Sequence, residues 1–264
     1  MFGLHTPVYA YGAMMALGLL VGGVGLLLSA KQVRLDVDLV LAAAGITLLF
    51  GYAGAHGLFL LVAALNGQEV LPLIGRGGIV FYGGAVAGAL GGYLAAKAFQ
   101  LPWRLLLDAA AVPLALGHAI GRIGCLLGGC CFGRQFSAAW AVSYRHPLAP
   151  MPDGILRHPV QAYEAIALLI LSALLLARPI DQRKAGSRFA IYVASYAVLR
   201  ALLETFRGDS ARGLFFGSHM STSQLLSALL FAAASTWLFR LRSTQKKSAA
   251  GELKLTGGMK QAAS

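Results

Sequence analysis

Charge is what this sequence has least of. Only 12% of its 264 residues are charged, against about 25% in an ordinary soluble domain. Acidic residues number just 10, beside 22 lysines and arginines. A chain so poor in polar surface cannot cover a globule in water, which excludes a soluble enzyme or binding module. Cysteine is also scarce. The three cysteines all fall between Cys125 and Cys131, which excludes the spread-out framework of a secreted disulfide scaffold. The formal charge of +12 is broken into short clusters between apolar runs. A nucleic-acid module would carry its basic residues as a patch or stripe, so no nucleic-acid partner is expected.

What remains is apolar: 58% hydrophobic residues and a mean hydropathy of +0.70. Several runs approach the roughly 20 residues needed to cross about 30 Å of hydrocarbon. The expected fold class is all-α, a polytopic membrane protein of about seven spans. The runs are Pro7 to Ser29, Leu39 to Leu65, a third ending near Phe99, Leu105 to Leu127, one opening at Pro159, Phe189 to Phe206, and Ser221 to Phe239. No basic residue precedes the first run while Lys31 and Arg34 follow it, the reverse of a cleavable signal peptide. Residues 1–242 are read as one transmembrane domain and 243–264 as a basic, disordered cytoplasmic tail.

Basic residues orient the spans. With the N-terminus outside, the cytoplasmic side receives fourteen: Lys31, Arg34, Lys97, Arg104, Arg178, Arg183, Lys184, Arg188, Arg240, Arg242, Lys246, Lys247, Lys254 and Lys260. The opposite side receives six: Arg76, Arg134, Arg145, Arg157, Arg207 and Arg212. Positive charge marks the cytoplasmic side, so this orientation is expected, with a cytoplasmic C-terminus.

Five ionisable residues fall inside the spans: Asp108, His118, Arg122, Arg200 and Glu204. A charge at mid-bilayer costs roughly 2.5–3.5 kcal/mol, so each needs a partner or a polar cavity. His118, Arg122 and Cys125 share one face of the fourth helix by spacing, and Tyr196, Arg200, Glu204 and Arg207 share one face of the sixth. Two such stripes would build a basic cavity near the outer side. Its competing reading is a closed set of ion pairs, Arg200 with Glu204 and Arg122 with a carbonyl or Asp108. Only one obvious carboxylate stands between two arginines, which leaves positive charge for an anion, and arginine's planar fork suits phosphate. Asp108 is read as a capping or dipole-compensating residue, and His56 as a hydrogen-bond donor in helix packing.

Several motifs resemble those of the bacterial phosphatidylglycerol–prolipoprotein diacylglyceryl transferase family. Ala10-Tyr11-Gly12 resembles its W-Y-G element and Phe81-Tyr82-Gly83-Gly84 its F-H-G-G element. Gly121-Arg122-Ile123-Gly124 through Gly133-Arg134 resembles its G-R-x-G-N-F-x-N-x-E-x-x-G signature. Arg157 to Glu164, RHPVQAYE, is close to R-H-P-x-Q-x-Y-E. Tyr196, Arg200, Glu204 and Arg207 match Y-x3-R-x3-E-x2-R, and Ser221-Thr222-Ser223-Gln224 matches the start of the last helix. The resemblance implies a transferase of the bacterial cytoplasmic membrane. It would move a diacylglyceryl group from phosphatidylglycerol to the lipobox cysteine of a prolipoprotein and release glycerol phosphate, with no cofactor and no metal. Arg122 and Arg200 would bind phosphate and stabilise the leaving charge. Tyr11 and Tyr196 would hydrogen-bond the head group, and Glu204 and Arg207 would orient the arginines or the acceptor. Tyr82, Gly83, Gly84, Arg134 and His158 complete the expected substrate-binding set.

The departures cluster where the chemistry should be. Tyr82 replaces the histidine of F-H-G-G. Cys125, Gly128 and Cys130 replace the two asparagines and the glutamate of the signature. A tyrosine with an ordinary pKa near 10 is a poor base, so His118, His158 or Glu204 would have to take the thiol proton, unless the acceptor differs. A divergent transferase with another acceptor, or a phospholipid-binding protein without catalysis, is therefore the alternative. For Cys125, Cys130 and Cys131 four readings stay open: packing, a disulfide bridge, a metal site, or a catalytic thiol activated by the nearby arginines. The spacing C-x4-C-C is not a recognised zinc pattern.

Overall fold

The computed structural model describes residues 6–74, 78–144, 154–207, 214–215 and 220–261, with backbone alone for 6–9, 214–215, 220 and 244–261. Seven α-helices are present among them: α1 Thr6–Gln32, α2 Val37–Leu65, α3 Phe81–Ala98, α4 Trp103–Leu127, α5 Val160–Leu176, α6 Ser187–Glu204 and α7 Thr222–Gln261. Four contain stretches long and apolar enough to cross a membrane: Ala10–Gln32, Val37–Leu65, Trp103–Leu127 and Thr222–Ser243. Leu19, Leu20, Leu48 and Leu49 are more than half exposed, as suits helices whose outer surface meets lipid rather than water. Arg76, Arg145 and Arg212 lie outside the described residues, as does the proline cluster Pro147, Pro150 and Pro152.

Local chemistry sets the helix limits. Asp36 caps α2 by accepting from the amides of Asp38 and Leu39. Ser221 and Gln224 exchange side-chain and backbone hydrogen bonds at the start of α7, a capping box that satisfies two orphan donors. At the other end α7 stays helical past Arg242 to Gln261, where the sequence reading expects a disordered tail; Ala, Leu, Lys and Gln are good helix formers. Asp108 lies beyond the first turn of α4 and is 1% exposed. Because α4 starts directly after Pro102, Asp108 sits too deep to cap it, and this corrects the capping reading.

The chain divides into two compact units, Leu27–Ala109 and Met1–Leu26 with Ala110–Ser264. In the first, α2 and α3 pack through residues with little or no side chain. A Cβ on Gly83 would run into the Gly54 carbonyl and Leu58, and one on Gly84 would come within 3.0 Å of the Gly51 carbonyl oxygen. This is the small-residue contact by which helices approach closely in lipid. His56 donates from Nδ1 to the Gly78 carbonyl at 2.8 Å, the packing role expected of it.

In the second unit, α1 and the latter part of α4 cross at Gly18 and Gly117. A Cβ on either glycine would lie 2.9 Å from the other's carbonyl oxygen. Helices α5 and α6 enclose a core of Leu171 and Leu175 with Ala111 and Val112, against which Phe189 and Tyr192 pack. The buried guanidinium of Arg188 donates to the Leu175 carbonyl near the end of α5, satisfying an acceptor that the helix leaves open.

Candidate active site

The fully buried carboxylate of this unit belongs to Glu164, a residue the sequence reading quotes in a motif but leaves out of the site. Helix α5 buries Gln161, Glu164, Leu168, Leu171 and Leu175, an i, i+3, i+7 stripe whose first turns are polar and whose remainder is leucine. Glu164 is 1% exposed. A carboxylate without partners there would be very costly, and Glu164 has two, Arg122 and Tyr196. Arg122 Nε approaches Oε2 at 3.1 Å, the Tyr196 hydroxyl donates to Oε1 at 3.0 Å, and His118 Nε2 stands 3.6 Å from Oε1. Arg122 Nε also donates to His118 Nε2 at 3.2 Å. In that role Nε2 carries no proton and the ring proton sits on Nδ1. The His118 ring meets Tyr196 edge-on at 5.1 Å.

Of the expected stripes, His118 and Arg122 on α4 and Tyr196, Arg200 and Glu204 on α6 make these contacts, and α5 joins them. Arg122 pairs with Glu164 rather than with Asp108 or a carbonyl, and Arg200 pairs with Glu204 at 2.7 Å. Each arginine has its own carboxylate, which corrects the expectation of one carboxylate between two arginines. Tyr196 spends its hydroxyl on Glu164 rather than holding it free for a head group. Arg207 is not on the α6 face, because the helix ends at Glu204 and Arg207 pairs in extended backbone with Gly133. Buried polar atoms here without a hydrogen-bond partner among the described residues include Arg200 Nη1, Arg157 Nε and Glu164 Oε2, the last facing Arg122 as an ion pair only.

The loop after α4 closes over this end of the unit. Arg134 donates its amide to the Phe206 carbonyl, His158 donates to Arg134, and Gly133 donates to His158. Three segments cross at Gly133, where a Cβ would lie 2.5 Å from His158 Cβ and 2.8 Å from the Phe206 carbonyl oxygen; only glycine fits. His158 is buried rather than open to substrate. Its ring stacks on Phe136 at 3.7 Å, Nδ1 lies 3.3 Å from the Tyr163 hydroxyl, and Phe206 closes the edge. Burial, helped by Arg134, holds its pKa below the ordinary 6.5. Arg134 is exposed. Arg157 lies over the Phe132 ring at 4.8 Å and donates to the Gly133 carbonyl.

Tyr11 packs across the end of α4, 3.6 Å from where a Gly124 Cβ would stand, and is 37% exposed. Tyr82, Gly83 and Gly84 belong to the other compact unit, where the two glycines serve helix packing. The three cysteines are free thiols, and their sulfurs lie within 4.8 Å of one another. The Cys131 thiol is drawn below its ordinary range, first by hydrogen bonds from Cys125 and Cys130 and then by the charges of Arg207 and Arg122.

Within this unit the loop and helix ends carry Arg122, Arg134, Arg157, Arg200 and Arg207 beside Glu164 and Glu204. The excess positive charge and the unpartnered Arg200 nitrogen suit an anion, and arginine favours phosphate. A profile of the prolipoprotein diacylglyceryl transferase family matches residues 1–240. The chain is 34% identical to a phosphatidylglycerol–prolipoprotein diacylglyceryl transferase of Clostridium tetani, over 86% of this chain and 90% of that protein. It is 31% identical to one from Dehalococcoides mccartyi, over 90% and 91%, and 28% identical to a second such transferase of Clostridium perfringens, over 95% and 96%. With membrane-spanning helices, a buried arginine–carboxylate site and this match over nearly its whole length, the chain belongs to the prolipoprotein diacylglyceryl transferase family.

Proposed function

We propose that this protein transfers the diacylglyceryl group of phosphatidylglycerol to the lipobox cysteine of a prolipoprotein in the bacterial cytoplasmic membrane. The observation that carries the reading is the buried Glu164 array with an unpartnered Arg200 nitrogen beside it. Arg200 Nη1 receives the lipid phosphate, and Arg122 adds a second cation whose orientation Glu164 fixes. The acceptor thiol loses its proton to His118 at Nε2, the ring nitrogen without a proton, as the Arg122 Nε–H turns from it to Glu164 Oε2. The sulfur lone pair then attacks the glyceryl carbon, the bond from that carbon to the phosphate oxygen breaks, and glycerol phosphate leaves as an anion. Charge develops on the leaving phosphate, where fixed arginines stabilise the transition state more than the ground state. Tyr11 and Arg134 lie at the same end and contact the head group.

The finer topology is seven spans with the N-terminus outside and the C-terminus cytoplasmic. The fourteen-to-six distribution of basic residues supports it. Helices α3 and α6 have 18 residues each and α5 has 17, about 27 Å at 1.5 Å per residue, close to the hydrocarbon thickness.

The test is to incubate purified protein with phosphatidylglycerol and a lipobox peptide, following peptide mass and released glycerol phosphate. A peptide heavier by one diacylglyceryl group, with one equivalent of glycerol phosphate, is the expected result. Glycerol phosphate without a peptide adduct would move the reading to another acceptor. Bound lipid with neither product would replace it with a non-catalytic lipid-binding protein.

A further inference from the structure

Helix α4 ends in a way that gathers the cysteines. The Cys130 amide donates to the Cys125 carbonyl at 3.1 Å and the Gly129 amide to the Leu126 carbonyl at 3.3 Å, with Gly129 left-handed at φ 67°. This is a Schellman ending, which brings the residue after the left-handed one back over the residue five before it. Cys125 and Cys130 occupy those two positions, so the turn itself sets their sulfurs together. The next residue, Cys131, is also left-handed, at φ 59°. For a residue with a Cβ that costs roughly 1–2 kcal/mol, and it turns the third thiol into the same cluster. Strain of this kind persists where surrounding structure enforces it. Here Gln161, 1% exposed, donates to the Cys130 carbonyl while accepting from the Tyr144 hydroxyl at 2.9 Å.

We propose that Cys125, Cys130 and Cys131 form a binding site for one thiophilic divalent cation, of the class of zinc(II), with its fourth coordination position open to water or a thiol. Tetrahedral coordination at 2.3 Å per Zn–S bond places sulfurs about 3.8 Å apart, and these three lie within 4.8 Å of one another. A single disulfide would use two of the three clustered sulfurs and leave the third outside it. No fourth His, Cys, Asp or Glu joins the group among the described residues, and three protein ligands with an open position characterise reactive rather than closed structural zinc. Exposed Cys130 gives the ion a way in. The unusual sequence spacing is the consequence of a helix-ending turn, where most zinc patterns come from hairpins and knuckles. The cluster does not depend on the proposed transfer reaction, and metal binding is read without it.

The experiment titrates the full-length protein, reduced and in detergent, with cobalt(II) alone under anaerobic conditions. The expected spectrum has thiolate-to-cobalt charge-transfer absorption and intense visible bands of tetrahedral geometry, saturating at one ion per chain and bleached by zinc(II). Zinc should also slow maleimide labelling of the three thiols by at least about tenfold. The triple variant C125S/C130S/C131S should lose the spectrum. The single Cys130→Ser, altering only the exposed thiol, should weaken it if the triple variant does not fold. Absent charge-transfer bands, an unchanged spectrum in the variants, or a disulfide in the protein as isolated that zinc cannot prevent would each overturn the site.

Discussion

In the Leu27–Ala109 unit the closest approach is made by residues with no side chain at all, Gly54 and Gly83. In the other unit glycines also meet, Gly18 against Gly117, but α4, α5 and α6 are joined by the polar contacts of Glu164 with Arg122 and Tyr196. Both solve the same problem, holding helices together where lipid supplies no hydrophobic drive between them. Glycine contact gives backbone proximity cheaply and nothing else. The carboxylate array costs desolvation energy that packing alone does not require, and charges retained inside a membrane protein mark function. The difference assigns one unit to architecture and the other to chemistry.

The comparison breaks most sharply at Arg122. Arg122→Lys keeps the charge but loses the planar fork, and transfer should fall by about 100-fold or more, measured as peptide adduct per minute at equal folded protein. A residual rate near wild type would make Arg122 a packing residue like Gly83. Conversely, Gly83→Val should destabilise the folded protein by about 3 kcal/mol or more through overpacking. It should do so without altering turnover per folded molecule; a loss confined to activity would give Gly83 a substrate role after all.

Less drastic is Gly133→Ala. The added Cβ would press on His158 and the Phe206 carbonyl, at a cost of about 1–3 kcal/mol; detergent melting curves would read it. The smallest effect concerns His158. Its pKa is lowered in the folded state, so the unfolded chain binds the proton more readily and stability rises with pH. That contribution is complete above 6.5 and is lost as pH falls below it. His158→Phe should remove this part of the acid destabilisation, seen as a smaller melting shift between neutral pH and pH values below 6.5.

The helices were legible because apolar runs and their punctuation are local signals. Asp36, Pro159 and Ser221 mark boundaries that the structure keeps within a few residues. The pairing of Arg200 with Glu204 was legible from i, i+4 spacing. Glu164 was not, because its partners come from α4 and α6, far away in sequence. A signal was present all the same: Gln161 and Glu164 share a helical face with Leu168 and Leu175, and a carboxylate on a leucine stripe must find a cation. Arg207 was misplaced because spacing assumes an unbroken helix, and α6 stops at Glu204. The cysteine cluster depends on a helix ending, which a ligand-spacing pattern does not represent.

The central claim is that Glu164 organises the transfer site rather than merely pairing with a buried arginine. Glu164→Gln preserves the shape and the acceptor for Tyr196 but removes the charge facing Arg122 and His118. With phosphatidylglycerol and a lipobox peptide, this variant, still folded and still binding lipid, should form adduct about 100-fold more slowly than wild type. Adduct formation at the wild-type rate by folded Glu164→Gln protein would contradict it.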